Sequence, residues 1–272
     1  MKPAGVALVA LIAIVACTAP GRKTTPPASD RTATTAIELT VFAAASLTDA
    51  IEAANSAYEG AVPGTTLTIS TDSSSALETQ IEQGAPADVF LSADTTNPQK
   101  LVDAGLTAGD AVAFAANKLT IVVPMGNPGR VATPADLARP GLRIIAAGEE
   151  VPITKYAAQL VANLSGEDGY PDGFEAAYAA NVVSREDNVK AVVAKIELGE
   201  GDAGIVYATD AAASDAVETV DVPDHANVVA SYAGVVIATS GNLDAGGTFL
   251  DWIAGTYGQA VLGRFGFLPP TT

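Results

Sequence analysis

From residue 37 onward, short apolar runs alternate with segments of helical periodicity along this 272-residue chain. Apolar runs at 38–43, 66–70 and 89–92 predict strands, and helical patterns at 47–58 and 75–83 predict helices between them. Such alternation predicts an α/β fold, in which a sheet is covered by helices. The pattern resumes as runs or helical segments at 119–124, 142–146, 156–164, 174–180, 188–197, 204–207, 227–230 and 232–239, with a closing helix at 247–265.

Five segments place neutral hydrogen-bond donors where a small anion could meet them. A helix N-terminus presents unpaired N–H groups and about half a positive charge, and most of these segments begin a predicted helix. In open α/β sheets, ligands bind beyond the carboxyl ends of strands, which is where Ser46 and Tyr207 are expected. Together the segments predict a site for a tetrahedral oxyanion that needs no Lys or Arg. They lie at 41–50, 71–90, 149–160, 185–196 and 202–211.

The serine segments also have an ordinary structural interpretation. Ser46 and Asp49 have the spacing of a capping box, in which the serine only caps its own helix. Ser75 and Glu78 repeat that spacing. Three consecutive hydroxyls at 73–75 exceed what one cap needs, which favours a cluster of donors for a ligand.

The other segments have ordinary interpretations too. Pro152 before Ile153 is a common way to begin a helix, and Val189 opens an amphipathic one. Tyr207 ends an apolar strand, where a buried tyrosine commonly bonds a neighbouring carbonyl. Taken one at a time, none of these segments requires a ligand.

Composition excludes several other classes of function. From residue 37 onward the chain has 10 Lys and Arg against 30 Asp and Glu, so a nucleic acid is excluded as a partner. Cys17 is the only cysteine and His225 the only histidine, which excludes internal disulfides and metal sites built on cysteines or several histidines. A serine hydrolase using Ser46 or Ser74 is an alternative, although no G-x-S-x-G elbow is present.

The first 36 residues have the composition of an export signal and a tether. An apolar run at 4–16 is too short to span a bilayer comfortably and suits a signal-peptide core. It runs into Cys17 in a pattern that resembles a bacterial lipobox, so residues 1–17 are predicted to be a signal peptide ending at lipidated Cys17. Residues 18–36, rich in Thr, Pro, Ala and Ser, predict a disordered tether. We therefore expect an extracytoplasmic lipoprotein; an ordinary signal peptide is the alternative.

Four blocks occur in order along the chain: VFAAASLTDA (41–50), IEQGAPADVFLSAD (81–94), GIVYATDA (204–211) and RFGF (264–267). With these blocks, the chain resembles the molybdate-binding proteins of ABC-type uptake systems over essentially all of residues 37–268. The resemblance implies a two-lobed, type II periplasmic-binding-protein fold, with a hinge that the chain crosses twice and the ligand in the cleft between the lobes.

The resemblance also implies particular residues and partners. Lobe 1 would comprise residues 37–117 and 232–272, and lobe 2 residues 118–231. The implied ligand is molybdate or tungstate, with no cofactor and no metal cation, and sulfate or another oxyanion is the alternative. The implied partner is an ABC permease, the membrane is contacted by the lipid anchor only, and we expect a monomer without enzymatic activity. By position, the family's ligand residues fall on Ser46, Ser74, Ile153, Val189 and Tyr207.

One loop departs from the pattern of the family. Relatives usually carry glycine where this chain has Thr154, and Glu149 and Glu150 come shortly before it. A glutamate pointing into the cleft would repel a dianion, so we expect both to face solvent.

Overall fold

A computed structural model of the protein describes residues 36–270. The predictions for the signal peptide, Cys17 and the tether lie outside the described residues. The described part contains nine strands: β1 Ile37–Ala44, β2 Thr65–Asp72, β3 Val89–Ser92, β4 Val112–Pro124, β5 Ile144–Ala147, β6 Val182–Glu186, β7 Gly204–Tyr207, β8 Val217–Val220 and β9 Val229–Val236. Its α-helices are α1 Thr48–Ala61, α2 Ser74–Glu82, α3 Thr96–Asp103, α4 Pro152–Ser165, α5 Phe174–Asn181, α6 Val189–Glu197, α7 Ala208–Ala212, α8 Leu243–Ala254 and α9 Thr256–Arg264.

Seven of these strands form one mixed sheet, and the other two form a separate parallel pair. The large sheet has the order β2-β1-β3-β9-β4-β7, and β8 also pairs with β4. β1 runs parallel to β2 and β3, whereas the remaining pairings of this sheet are antiparallel. β5 and β6 form the parallel pair. The predicted α/β class is confirmed.

The long strand β4 changes its partners between Lys118 and Leu119. Before this point it pairs with β9, and after it with β7 and β8. The chain therefore passes from one group of strands to the other along β4 and comes back along β9, as a two-lobed type II fold requires. The predicted lobe boundaries at 117/118 and 231/232 lie near these passages and stay a prediction.

Helices cover the sheet through apolar stripes of helical spacing. On α1 the stripe includes Ile51, Ala54 and Tyr58, and the Tyr58 ring meets Phe249 edge-on at a centroid distance of 5.0 Å. On α6 the stripe is Val189, Val192, Val193 and Ile196, all buried. Burying a Val or Ile side chain contributes about 1.5–3 kcal/mol, so these stripes fix which face of each helix packs inward.

The predicted closing helix at 247–265 is wrong as a single element. The structure has two helices, α8 and α9, separated by an extended Gly255. A β-carbon on Gly258 would lie 2.4 Å from the Ile253 backbone, so glycine at this position permits the close turn between them. The predicted strands at 227–230 and 232–239 are likewise one strand, β9.

Candidate functional site

All five residues predicted from the sequence line one small cavity, called here the donor cavity. Its volume, measured for the centre of a water-sized sphere, is about 10 Å³. Lys, Arg, Asp and Glu are absent from its lining. The lining residues are Ala44, Ala45, Ser46, Ser73, Ser74, Ala93, Val151, Pro152, Ile153, Asn188, Val189 and Tyr207.

Two sides of the protein meet at this cavity. One side comes from the ends of β1, β2 and β3, and the other from the starts of α4 and α6 and the end of β7. Side-chain bonds join the sides: Asn188 Nδ2 donates to Asp72 Oδ1 at 3.3 Å, and Lys190 Nζ lies 2.7 Å from Asp49 Oδ2. The arrangement encloses a compact space that suits a small ion rather than an organic substrate.

Ser46 lies in a 3₁₀ turn, Ala45–Leu47, between β1 and α1. Its Oγ is 2.9 Å from the hydroxyl of Tyr232 on β9, and no side-chain bond caps the start of α1. The capping-box interpretation of Ser46 and Asp49 is therefore wrong. With Tyr232 as donor, the Ser46 hydroxyl keeps its own proton for another acceptor.

Ser73, Ser74 and Ser75 do not share one role. Ser73 is the N-cap of α2, because its Oγ accepts from the N–H of Ala76 at 3.3 Å. The predicted cap at Ser75 is thus displaced by two residues. Ser74 Oγ accepts from the N–H of Ala93 at 3.0 Å, so its hydroxyl proton is also free to be donated.

Ile153 and Val189 lie in the first turns of α4 and α6. The first N–H groups of a helix have no partner within the helix, so both backbone groups are donors toward whatever the helix start faces. Asn188 caps α6 by accepting from the N–H of Ala191 at 3.1 Å, which leaves the N–H of Val189 uncapped. The structure therefore presents two helix starts to the cavity.

Tyr207 ends β7 and is 1% exposed. Its hydroxyl is buried and has no hydrogen-bond partner among the described residues, which contradicts the interpretation that it bonds a neighbouring carbonyl. Burial raises the pKa of Tyr207 well above its usual value, so the group is a neutral donor. A buried hydroxyl without a partner is costly unless a ligand supplies one.

The sequence did not reveal a second set of polar residues beside the cavity. Tyr232 bonds Ser46, and Asn117 Nδ2 donates to Thr209 Oγ1 at 2.8 Å and approaches the Tyr232 hydroxyl at 3.5 Å. Asp210 lies on α7 and is almost completely buried. Thr209 and Asp210 fall within the GIVYATDA block, whereas Asn117 and Tyr232 lie inside apolar strands and carry no sequence signal.

The unusual loop at 148–154 does not disturb the cavity. The Thr154 hydroxyl donates to the carbonyls of Ala147 at 3.0 Å and Gly148 at 2.7 Å, so it is turned into its own loop. Glu149 and Glu150 are exposed, as expected, and Glu149 pairs with Arg185 at 3.5 Å.

A second, larger cavity lies along α4 and is called here the apolar cavity. Its volume by the same measure is about 200 Å³. Ile153 lines both cavities, whereas Ala157, Tyr178 and Ile205 line only the apolar one. Most of its lining residues are Ala, Val and Ile, and its polar lining residues are Thr154, Glu175, Tyr178 and Arg185.

His225 is remote from any arrangement suited to hydrolysis. Its side chain is 65% exposed and its Nε2 lies 3.2 Å from Glu167. It does not line the donor cavity, where Ser46 and Ser74 lie. Over residues 36–270, no group of three or more His, Cys, Asp or Glu side chains is arranged to hold a metal ion.

The fold and the site are those of a binding protein for a small solute. Residues 39–268 match the family of bacterial extracellular solute-binding proteins, and the chain belongs to that family. It is 34% identical to the molybdate-binding protein ModA of Mycobacterium tuberculosis over 233 residues, which are 85% of each chain. The family predicted from the sequence is confirmed.

Two solved structures show the same fold. The periplasmic molybdate-binding protein of Azotobacter vinelandii superposes with a TM-score of 0.72 at 24% identity, covering 86% of this chain and 100% of that one. The sulfate-binding protein SubI of M. tuberculosis gives 0.77 at 22% identity, covering 86% and 87%. At sequence identities this low, the structural similarity shows the fold alone. Within the described residues, no helix has both the length and the apolar character needed to cross a membrane.

Proposed function

We propose that the protein captures molybdate, and tungstate with it, and delivers the anion to an ABC permease. The observation that carries the proposal is the convergence of neutral donors on one small cavity whose lining contains no charged side chain. The 34% identity to ModA of M. tuberculosis supports molybdate as the ligand.

In this proposal the anion oxygens accept hydrogen bonds from three hydroxyls and two backbone N–H groups. Each hydrogen bond to a charged acceptor is worth about 1.5–3 kcal/mol net, so five of them support tight binding without a cation. The helix starts of α4 and α6 add the favourable ends of two helix dipoles. The donors are Ser46 Oγ, Ser74 Oγ, Tyr207 Oη and the N–H groups of Ile153 and Val189.

Selectivity follows from a lining that offers hydrogen-bond donors but no carboxylate. Hydrogen phosphate carries a proton that needs an acceptor, and the lining side chains include no carboxylate to receive it. Molybdate, tungstate and sulfate are all fully deprotonated tetrahedral anions, so only their size distinguishes them. Sulfate is therefore the second candidate ligand. The protein is not an enzyme in this proposal, because His225 does not line the cavity that holds Ser46 and Ser74.

Titration calorimetry of the folded protein with molybdate, tungstate and sulfate tests the ligand. We expect one site per chain, with molybdate and tungstate bound and sulfate bound more weakly. Molybdate should also raise the melting temperature, because a ligand of the native state stabilises it by RT ln(1 + [L]/Kd). Absence of both heat and a melting shift at millimolar molybdate would contradict the proposal, and turnover of a small ester would favour a hydrolase instead.

We further propose that lipidated Cys17 anchors the protein at the outer face of the cell membrane as a monomer. Support comes from the lipobox-like sequence and from membership of an extracellular binding-protein family. Detergent phase partitioning of the expressed chain and of Cys17→Ser tests the anchor. The parent should enter the detergent phase and the variant the aqueous phase, and a parent found in the aqueous phase would refute lipidation.

A further inference from the structure

Asp210 is a buried acid whose carboxyl group is not satisfied by the protein. It lies on α7, three residues after Tyr207, and is 2% exposed. Both carboxyl oxygens are shielded from solvent, and neither has a hydrogen-bond partner among the described residues. A carboxylate in such a place loses its hydration and gains no hydrogen bond in return, so burial favours the neutral acid.

Asp94 shows how a buried carboxyl group is satisfied elsewhere in this protein. It is also buried, but its Oδ1 accepts from Ser92 Oγ at 2.9 Å and from the N–H of Asn97 at 3.0 Å. The Asn97 side-chain amide approaches both of its oxygens at 3.2 Å. Asp210 has none of these donors, so the two buried acids occupy opposite environments.

The groups around Asp210 connect it to the donor cavity. Tyr207 on β7 and Tyr232 on β9 both experience its charge, and Tyr232 in turn contacts Ser46. Two further charged groups face it: Lys190 on α6 and Asp49 on α1, which are paired with each other. Burial raises the pKa of Asp210 to about 7, with Lys190 lowering it and Asp49 raising it by smaller amounts.

We propose that Asp210 is a proton-linked positioning residue of the anion site, so that capture of the dianion takes up one proton from solvent onto its carboxylate. The inference rests on the proposed function. A negative charge at Asp210 would repel the anion held by Tyr207, whereas the neutral acid would not. Protonation of Asp210 forms one O–H bond and adds one positive charge. The net charge of the complex is therefore more negative than that of the free protein by one unit rather than two.

The sign of the pH dependence follows from the ligand-free state. At pH 5.5 Asp210 is already neutral, so binding takes up no proton. Above pH 7 it is ionised without the anion and becomes protonated with it. Affinity is therefore flat at low pH and weakens as the pH rises above about 7, by up to tenfold per pH unit.

Calorimetry with molybdate in two buffers of different ionisation enthalpy at each pH counts the protons taken up per anion. HEPES and Tris suit pH 8, and acetate and MES suit pH 5.5. At pH 8 the parent should take up close to one proton per anion, and at pH 5.5 close to none. Asp210→Asn has a neutral side chain of the same shape and should take up none at either pH, with an affinity that no longer falls between pH 7 and 8. Asp251→Asn removes an exposed carboxylate on α8 and should behave as the parent.

The outcomes separate the inference from the proposed function. If the parent binds molybdate at no pH, the proposed function fails. If it binds molybdate at pH 8 without proton uptake, the proposed function stands and the inference is overturned, whether or not Asp210→Asn folds. Proton uptake that persists in a folded Asp210→Asn protein would also overturn it, because another group would then carry the proton.

Discussion

The donor cavity lies at the start of α4, the apolar cavity lies along the same helix, and the two share Ile153. The apolar cavity is larger, about 200 Å³ against about 10 Å³, and its walls are mostly aliphatic. The donor cavity is lined instead by the starts of α4 and α6 and by the proposed donor hydroxyls of Ser46, Ser74 and Tyr207. For a small dianion the number of convergent donors outweighs the volume, because each donor to a charge is worth about 1.5–3 kcal/mol.

The largest expected effect comes from deleting a backbone donor on the donor-cavity side. Val189→Pro removes the N–H at the first position of α6, where proline is compatible with a helix. The preceding Asn188 has φ −156° and ψ 172°, an extended conformation that a following proline allows. Loss of the donor and the presence of the ring should weaken molybdate binding by about 3 kcal/mol, roughly 100-fold.

Val189→Ala is the matched control, because it also truncates the buried side chain but keeps the N–H. It should bind within a few fold of the parent in calorimetry, with some loss of stability. Equal affinities for Val189→Pro and the parent would show that the start of α6 does not bind the anion.

Removing single hydroxyls should have the next largest effect and should distinguish two kinds of donor. Tyr207→Phe and Ser74→Ala should each weaken molybdate binding by about 1.5–3 kcal/mol. In the absence of ligand, the two variants should differ in stability. Tyr207 Oη has no partner among the described residues, so its loss should leave the melting temperature unchanged or raised. Ser74 Oγ accepts from the N–H of Ala93, so its loss should destabilise the fold by about 1–3 kcal/mol. A hydroxyl variant that binds as tightly as the parent would remove that residue from the site.

The sequence predicted the elements around the donor cavity better than the rest of the fold. Predicted helices at 75–83 and 188–197 agree closely with α2 and α6, because apolar residues of helical spacing follow clear start signals. The edge strands β6 and β8 were missed, since both are short, β6 has no buried residue and only the two end residues of β8 are buried. The first half of β4 was also missed, because it is buried through pairing with β9, a contact that no local pattern specifies.

The same distinction applies to the site. Ser46, Ser74 and Tyr207 lie in blocks with a local signal, namely the end of a strand or the start of a helix. The residues that contact this group lie in segments without a local signal. Tyr232 is 186 residues from Ser46, and Asn117 is 92 residues from Thr209. Contacts between distant segments depend on the folded arrangement of β4, β7 and β9, so single-sequence patterns cannot give them.

The smallest expected effect tests whether the apolar cavity is independent of the donor cavity. Ala157 lies on α4, is buried and lines the apolar cavity only. Ala157→Leu adds three carbons to a space large enough to hold them, and each buried methylene contributes about 0.8 kcal/mol before the cost of repacking. We expect a net gain of about 1 kcal/mol in the free energy of unfolding, a melting increase of about 2–4 °C, and molybdate affinity within about twofold of the parent. Urea denaturation and calorimetry measure the two quantities. A more stable protein with tenfold weaker binding would show that the cavities are coupled through the start of α4, where Ile153 contacts both, and that the apolar cavity contributes to the anion site.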